Sequence, residues 1–315
     1  MSALINTDIS HACQLLKAGK LVAIPTETVY GLAANALDPD AVIRIFETKN
    51  RPSFDPLIVH IASTDDVAKY VEEVTPAARQ LMKAFWPGPL TIVLRKNDLI
   101  PDAVTSGLPT VGMRMPNHPL TLSLLREVQL PLAAPSANPF GYISPTRASH
   151  VADQLGESIE LILDGGNSQI GVESTIVDCS GTKPVVLRLG GTSLEAIQSV
   201  IGDVEVNTSG GSSPAAPGML LSHYAPKKKL LLGNIHDLLH EHHDNISILS
   251  FRDQYHSYRN IRLSASGDLH EAARNLFTAL RVLDGETGDV ILAEPVPDHG
   301  IGRAINDRLR RAAHR

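Results

Sequence analysis

The amino-acid sequence predicts an α/β fold in two parts: a large α/β or α+β domain, and a small parallel α/β domain. Three observations lead to this prediction. Short β-branched runs alternate with amphipathic helical stretches through the first part of the chain. A stretch of small residues, Gly and Pro interrupts the pattern at Asn207–Gly218. Strand–helix alternation then returns and continues to the end of the chain.

The elements of the first part follow from local patterns. Runs rich in Val, Ile, Leu and Thr predict strands at Leu21–Pro25, Leu57–Ile61, Leu90–Leu94, Thr110–Met115, Leu161–Asp164, Thr175–Asp178 and Val185–Leu189. Helical spacing predicts helices at Asp40–Lys49, Thr75–Phe85, His118–Val128 and Arg147–Leu155. Thr75 is the expected N-cap of the second helix, with Pro76 in its first turn. The sequence alone leaves the strand order open.

The second part has fewer elements. Its predicted strands are Leu230–Leu232, Ile246–Phe251 and Asp289–Ala293. Its predicted helices are Asp268–Leu283 and Gly300–Ala313. Asp268 is the expected N-cap of its helix. We therefore divide the chain into a first domain at 1–205, a linker at 206–228 and a second domain at 229–315.

Composition excludes several classes of protein. Of 315 residues, 43% are hydrophobic and 20% charged, which suits a packed core and not a disordered chain. A net charge of −6 argues against a nucleic-acid clamp and against a membrane-surface protein, although a local basic groove stays open. Cys13 and Cys179 are too few for a disulfide framework. With no long apolar run and no signal sequence, we expect a soluble cytoplasmic protein.

Polar side chains crowd the segment Pro25–Asn35 (PTETVYGLAAN), directly after the first predicted strand. Hydroxyls and backbone amides at the end of a strand are typical of small-ligand binding at a sheet edge. A polar turn hinged at Gly31 explains the same residues. This segment alone favours the turn.

Two cations, Lys49 and Arg51, lie where a predicted helix ends and a loop stiffened by two prolines begins. Fixed cations suit phosphates, with Lys as a point charge and Arg as a bidentate fork. The alternative is a solvated helix end. His60 lies in an apolar strand, where a hydrogen-bonded core histidine is the alternative to a ligand-binding one.

A third polar unit follows a short strand. Ser136 and Asn138 alternate there, so both project from one side of an extended segment. Ser144 or Thr146 is the expected N-cap of the next helix, whose free N–H groups can meet an anion. An ordinary cap explains these residues equally well. Arg188 lies in an apolar strand, where its charge needs a partner or an anionic ligand.

Common nucleotide and metal motifs are absent from the sequence. It contains no Walker A pattern, no early G-x-G-x-x-G and no H-E-x-x-H. His236 and His240 are four residues apart, but no third ligand follows at a clear spacing. A polar helix face is the favoured interpretation, so no metal site made by the protein is predicted.

Taken together and in this order, the polar units resemble the threonylcarbamoyl-AMP synthase family, whose catalytic unit is the YrdC-type domain. The motifs are PTETVYGL, K-x-R-P-x-x-x-P-L, T-V-G-M-R-x-P, P-S-A-N, S-P-T and E-S-T-I-V-D. Three further motifs resemble the family's long form, namely P-G-M, S-H-Y-A-P and GRAINDRLRRAA. The resemblance implies a twisted mixed-sheet YrdC-like catalytic domain, a linker that acts as a lid, and a small Rossmann-like parallel domain.

The resemblance also implies a reaction. Threonine and bicarbonate would combine to an N-carboxylated threonine, which attacks the α-phosphate of ATP with Mg²⁺ as a helper. Threonylcarbamoyl-AMP would form and pyrophosphate would leave. A partner enzyme would transfer the threonylcarbamoyl group to an adenosine beside the tRNA anticodon, and direct contact of this chain with tRNA is left open.

The resemblance assigns roles to individual residues. Threonine binding is expected from Thr28, His60, Arg114, Ala134 and Ser174, with Arg114 facing the carboxylate. ATP binding is expected from Lys49, Arg51, Asp55, Thr110, Ser136, Asn138, Ser144, Arg188 and Tyr224. Lys49 and Arg51 are the expected catalytic cations. Asp55 stands where relatives often carry Asn, and Phe140 where they often carry a small residue.

Two other classes of function remain as alternatives at this point. One is a double-stranded RNA-binding module, which the net charge of −6 disfavours although Lys227–Lys229 is a local basic run. The other is a carbamoyl-transfer maturation protein of the same fold, whose usual additional domains have no counterpart in the sequence. Pyrophosphate release that requires both threonine and bicarbonate separates all three.

Overall fold

The computed structural model describes residues 2–208, 216–220, 222–241 and 245–314. Its strands are, in chain order, β1 Leu4–Asn6, β2 Val22–Ile24, β3 Gly31–Asn35, β4 Ile58–His60, β5 Leu90–Arg95, β6 Thr110–Arg114, β7 Leu132–Ala133, β8 Leu161–Leu163, β9 Thr175–Asp178, β10 Val185–Arg188, β11 Glu205–Val206, β12 Lys229–Leu232, β13 Ile246–Ser250, β14 Arg259–Arg262 and β15 Val290–Ala293. Its helices are α1 Ile9–Lys17, α2 Pro39–Lys49, α3 Val67–Tyr70, α4 Pro76–Phe85, α5 Asp102–Thr105, α6 Pro119–Val128, α7 Ala148–Leu155, α8 Leu194–Ile201, α9 Ile235–Glu241, α10 Leu269–Gly285 and α11 Gly302–Ala313, and a 3-10 turn spans Thr64–Asp66.

The first part of the chain forms one large mixed sheet. Its strand order is β1-β8-β2-β3-β7-β4-β6-β5-β9-β10-β11. Parallel pairs such as β4 with β6 stand beside antiparallel pairs such as β5 with β6. The predicted mixed-sheet α/β domain is confirmed, and the strand order is what the sequence left open.

β3 is a strand that the sequence analysis did not predict. It returns antiparallel to β2, with Val22 opposite Ala33, and pairs with β7 on its other side. Its sequence, GLAAN, has none of the β-branched residues that signal a strand. Close packing selects small residues here, since a Cβ on Gly31 would lie 3.2 Å from the Cβ of Ala134.

Helix ends place several site residues. α2 begins after Asp38, whose side chain accepts from two backbone N–H groups, and ends at Asn50 in the left-handed conformation. This turn directs Arg51 back toward the sheet. Thr75 caps α4 as predicted. The predicted cap at Ser144 or Thr146 is wrong, because α7 begins after Arg147 without a side-chain cap.

The second part of the chain forms a small sheet with strand order β12-β15-β13-β14. All its pairs are parallel, as predicted. β14 was not predicted, because its sequence RNIR alternates too weakly to signal a strand. Asp268 caps α10 as predicted, accepting from the backbone N–H groups of His270 and Glu271.

The two parts share an apolar interface. Val29, Ile143 and Val172 of the large part pack in one cluster with α10 and α11 of the small part. Arg281 of α10 donates to the carbonyl oxygen of Ile143 and, over 3.0 Å, to Gln154. The small domain is therefore fixed against the face of the large one that carries the polar motifs.

Two further points concern the linker and membranes. Residues 209–215 of the predicted linker lie outside the described residues, and the division at 205 and 228 stays a prediction. Across the described ranges, the structure has no helix of the length and apolarity needed to span a membrane.

Candidate functional site

A cavity opens where β3, β4, β6, β9 and β10 meet the second half of the linker. Nine residues that the sequence analysis selected line it: Thr28, Arg51, His60, Arg114, Ala134, Ser136, Ser174, Arg188 and Tyr224. The other five selected residues, Lys49, Asp55, Thr110, Asn138 and Ser144, do not line it. Lining residues without a predicted role include Thr26, Glu173, Pro217, Gly218 and His223.

One wall is the polar turn between β2 and β3. Thr26 accepts from the backbone N–H groups of Thr28 and Val29, both over 3.2 Å, and its hydroxyl lies 2.8 Å from that of Thr28. This local hydrogen bonding fixes Thr28 against the cavity. Both interpretations of the segment therefore hold, since the polar turn is also a wall of the site.

Arg114 and Glu27 form a buried ion pair beside this turn. Arg114 Nη2 lies 2.8 Å from Glu27 Oε1, and Arg114 Nε donates to the carbonyl oxygen of Gly88 over 3.2 Å. Glu27 thus holds the Arg114 guanidinium at the cavity wall, and a ligand carboxylate that binds Arg114 must compete with this pair.

His60 ends β4 directly opposite Arg114 in the parallel β4–β6 pair. Burial, reinforced by the charge of Arg114, lowers the pKa of His60 to about 3. The imidazole is therefore neutral at physiological pH. The imidazole lines the cavity, and its buried Nδ1 atom has no hydrogen-bond partner in the described part of the chain.

Arg188 and Ser174 form the opposite wall. Arg188 donates from Nε to the Ser174 carbonyl over 3.0 Å and from Nη2 to its hydroxyl over 3.1 Å. Its Nη1 donates to the Pro217 carbonyl over 3.0 Å. A register shift in β10 between Val186 and Arg188 turns this side chain inward. The partners are carbonyls and a hydroxyl rather than a carboxylate, so the positive charge persists at the wall.

Lys49 lies behind the cavity and not on its surface. As the last residue of α2 it is buried, and its Nζ donates over 2.5 Å to the carbonyl oxygen of Ser136 and also to that of Asn138. Burial, with Arg51 nearby, holds the pKa of Lys49 well below its ordinary value. Lys49 therefore ties α2 to the P-S-A-N loop, and its contact with phosphate stays a prediction.

Arg51 lines the cavity and pairs with Asp55 behind it. The Arg51 Nη2 atom lies 2.9 Å from Asp55 Oδ2 and donates to the carbonyl oxygen of Pro56 over 3.0 Å. Burial raises the pKa of Asp55, and the Arg51 charge opposes that effect. The carboxylate that stands in place of the family's Asn is thus paired with Arg51 and kept off the cavity surface.

The remaining selected residues lie around the cavity. Asn138 Nδ2 donates to the Pro139 and Tyr142 carbonyls, both over 2.8 Å, which shapes its loop. Ser144 donates its hydroxyl hydrogen to Glu173 Oε1 over 2.5 Å. Thr110 lines a neighbouring pocket that shares Ile58 and Pro217 with the main cavity.

The linker both covers the cavity and contacts the small domain. Tyr224 lines the cavity while its ring stacks on Phe277 of α10, with centroids 5.6 Å apart. His223 meets Phe140 edge-to-face at 5.8 Å, and the Arg51 guanidinium lies 6.0 Å from that same ring. The described part of the linker therefore lines the cavity and is docked on the small domain at the same time.

Electrostatics favour an anionic ligand. The buried cations Lys49, Arg51, Arg188 and Arg308 surround His223, and burial together with these charges holds its pKa well below the ordinary value. The carboxylates near the cavity, Glu27, Asp55 and Glu173, are each paired with an arginine. Within the described ranges, no three His, Cys, Asp or Glu side chains are grouped to hold a metal ion.

Sequence reasoning missed Glu173, His223 and Arg308 as site residues. All three lie in motifs that were singled out, E-S-T-I-V-D, S-H-Y-A-P and GRAINDRLRRAA. The motif positions were the available signal. What they contact depends on how the two domains pack, which the sequence does not reveal.

Family models match almost the whole chain. One, for Sua5, YciO and YrdC proteins and described as "Telomere recombination", matches residues 14–190. Another, described as "Threonylcarbamoyl-AMP synthase, C-terminal domain", matches residues 192–314.

Curated proteins and solved structures give the same relationship. The chain is 45% identical to the threonylcarbamoyl-AMP synthase of Pyrococcus abyssi, over 97% of this chain and 94% of that one. It is 43% identical to the enzyme of that name from Bacillus subtilis, over 97% and 92%. The crystal structure of P. abyssi Sua5 with L-threonine superposes with a TM-score of 0.94 at 42% identity, covering 99% of this chain and 98% of the other.

Proposed function

The chain belongs to the threonylcarbamoyl-AMP synthase family, and on that premise we propose that it makes threonylcarbamoyl-AMP from L-threonine, bicarbonate and ATP. One observation in the structure carries the proposal. The cavity gathers all five residues expected for threonine beside Arg51 and Arg188, which are suited to phosphate. These residues come from segments far apart in the sequence, so chance grouping is a poor explanation.

The threonine end of the cavity is equipped for an amino-acid carboxylate and hydroxyl. Arg114 can bind the carboxylate by exchanging its contact with Glu27, and neutral His60 lines the same cavity. Thr28 and Ser174 add hydroxyl groups to the cavity lining. The solved structure of P. abyssi Sua5 contains L-threonine, which supports L-threonine as the substrate.

The chemistry at phosphorus needs positioning and charge neutralisation more than a protein nucleophile. Bicarbonate and the threonine amine give a carbamate with loss of water. A carbamate oxygen then attacks the α-phosphorus as the bond to the pyrophosphate oxygen breaks, and pyrophosphate carries away the bonding electrons. Arg51 and Arg188 offset the charge that builds on the phosphoryl oxygens. A linker closed over the cavity by Tyr224 keeps water from the carbamate and the adenylate.

Mg²⁺ belongs to the proposal as a companion of ATP. The described residues offer paired carboxylates and no ready set of three ligands, so the ion would be held mainly by phosphate oxygens and water. When bound, it would neutralise phosphate charge.

The product's chemistry implies a second protein. Threonylcarbamoyl-AMP is a mixed anhydride that must be passed on, and a transferase acting on tRNA in the cytoplasm would consume it. No observation on the described residues favours the RNA-binding module or the carbamoyl-transfer maturation protein as an alternative.

The decisive experiment follows pyrophosphate release from ATP. We expect release only when both threonine and bicarbonate are present, with threonylcarbamoyl-AMP as the adenylate product. Valine in place of threonine should be a much poorer substrate, because a site built to pair with a hydroxyl rejects an analogue that lacks it. Release without bicarbonate, or equal use of valine, would contradict the proposal.

A further inference from the structure

Arg308 of α11 is a buried cation that reaches from the small domain to the cavity wall. It is among the largest fully buried side chains of the described residues, with 0% exposure. Its Nε donates to Glu173 Oε2 over 2.8 Å, and its Nη1 donates to the Leu189 carbonyl over 2.9 Å. A charge buried this deeply is retained only with matched partners, and one of them, Glu173, lies on the other domain.

Glu173 joins this arginine to the nucleotide side of the cavity. It lines the cavity directly before Ser174 in the chain. Its Oε1 atom accepts from Ser144, a residue expected to bind ATP, while Oε2 accepts from Arg308. One carboxylate thus connects α11 of the small domain with a predicted ATP-binding hydroxyl.

Arg308 is paired with two carboxylates, and one of them is also paired with a second arginine. Asp307 is paired with Arg308 over 2.7 Å and also with Arg311 over 3.1 Å. Removing the Arg308 charge would leave Asp307 with Arg311. Glu173 would have no cation within ion-pair distance among the described residues. An unpaired carboxylate at the wall of a polyphosphate site repels the ligand, because burial weakens screening by water.

We infer that Arg308 is a positioning residue that lets ATP bind, since it neutralises Glu173 and holds it against Ser144. The inference rests on the proposed use of ATP. It gives the small domain a direct part in nucleotide binding. A smaller effect is expected on threonine, because Arg114 and His60 make no contact with Glu173 or Arg308 in the hydrogen bonds and ion pairs described above. Ser174 follows Glu173 in the chain, but Arg188 holds both its carbonyl oxygen and its hydroxyl.

The first variant to test is Arg308→Met, which keeps most of the side-chain volume and removes the charge. We expect KM for ATP to rise by about tenfold or more, as for loss of one partner of a buried charge pair. KM for threonine should stay within about twofold of the unaltered protein, since only the nucleotide side is changed. Arg303→Met is the matched control, because Arg303 also joins α11 to the large domain, through Glu195 over 3.2 Å, and does not line the cavity.

The decisive variant is the double change Arg308→Met with Glu173→Gln. The Gln side chain keeps an oxygen that can accept from Ser144 and carries no charge, so ATP affinity should return to within about threefold of the unaltered protein. This variant leaves no unpaired carboxylate at position 173, so it also serves if Arg308→Met alone does not fold. Calorimetry with Mg-ATP, without threonine, measures the affinity of each variant directly.

The outcomes separate the inference from the proposed function. Failure of the unaltered protein to bind ATP would contradict the proposed function itself. If the unaltered protein binds ATP and Arg308→Met binds it equally well, the inference is overturned. It is also overturned if the double variant binds ATP as poorly as the single one, because Arg308 would then act through packing and not through the charge of Glu173.

Discussion

The proposed threonine side and the proposed nucleotide side of the cavity differ in how their charges are compensated. On the threonine side, Arg114 is paired with Glu27 over 2.8 Å, and the imidazole of His60 is neutral because burial lowers its pKa to about 3. On the nucleotide side, Arg51 is paired with Asp55, but Arg188 donates only to carbonyls and a hydroxyl. The comparison teaches that the uncompensated positive charge lies on the nucleotide side. The arginines of both sides must exchange partners to touch a ligand.

The largest effect is expected from the nucleotide side. Arg51→Ala should slow threonylcarbamoyl-AMP formation by about a hundredfold to a thousandfold, as for loss of a group that stabilises charge in the transition state. Lys49→Ala should slow it as well, because Lys49 holds the P-S-A-N loop, which carries Ser136, against α2. Pyrophosphate release measures the rate, and Lys20→Ala, which removes an exposed cation paired with Glu160, is the control. Near-normal rates in both site variants would contradict the role given to these cations.

A smaller effect is expected from the threonine side. Arg114→Met should raise KM for threonine by about tenfold to a hundredfold through the loss of one charge-assisted hydrogen bond, with KM for ATP little changed. The measurement is initial rate against each substrate in turn. An equal rise in both constants would show that the two halves of the cavity are not separable in this way.

The linker joins the two sides, and Tyr224 tests its contribution. Tyr224→Ala should lower synthesis and release more free AMP per product, because a less well covered cavity admits water to the adenylate. Tyr224→Phe keeps the stacking on Phe277 and should retain more of the activity. Product and AMP are measured together by chromatography. Unchanged ratios in Tyr224→Ala would leave the linker as a tether only.

The smallest expected effect is a pH dependence of the free energy of unfolding that arises from His60. Its folded-state pKa of about 3 lies below the ordinary value of about 6.5, so the unfolded chain binds an extra proton in the window between them. The contribution of neutral His60 to the free energy of unfolding is fully present above about pH 6.5. It decreases as the pH falls, by about 2 kcal/mol at pH 5.

Urea unfolding at pH 8 and pH 5 checks this expectation. His60→Gln should lose less stability between the two pH values than the unaltered protein does. The exposed His256→Gln is the control and should behave like the unaltered protein. Equal losses in the His60 variant and the unaltered protein would mean that His60 is not held neutral by its surroundings.

The sequence predicted most of the fold because local patterns agree with the final structure in most elements. Runs such as LTIVL form strands in any sheet that buries them, and Thr75 with Pro76 begins a helix in any context. β3 and β14 were missed for the opposite reason. Their sequences carry little strand signal, and neighbouring strands determine their conformation.

By itself the sequence selected nine of the residues that line the cavity, although it also selected five that do not line it and missed Glu173 and His223. Only the tertiary structure decided what each one does there. Lys49 lies behind the P-S-A-N loop because α2 ends at Asn50, and Arg188 points inward because β10 shifts register beside it. Glu173 pairs with Arg308 across more than a hundred residues of chain. Such contacts depend on how distant elements pack, and no local pattern encodes that packing.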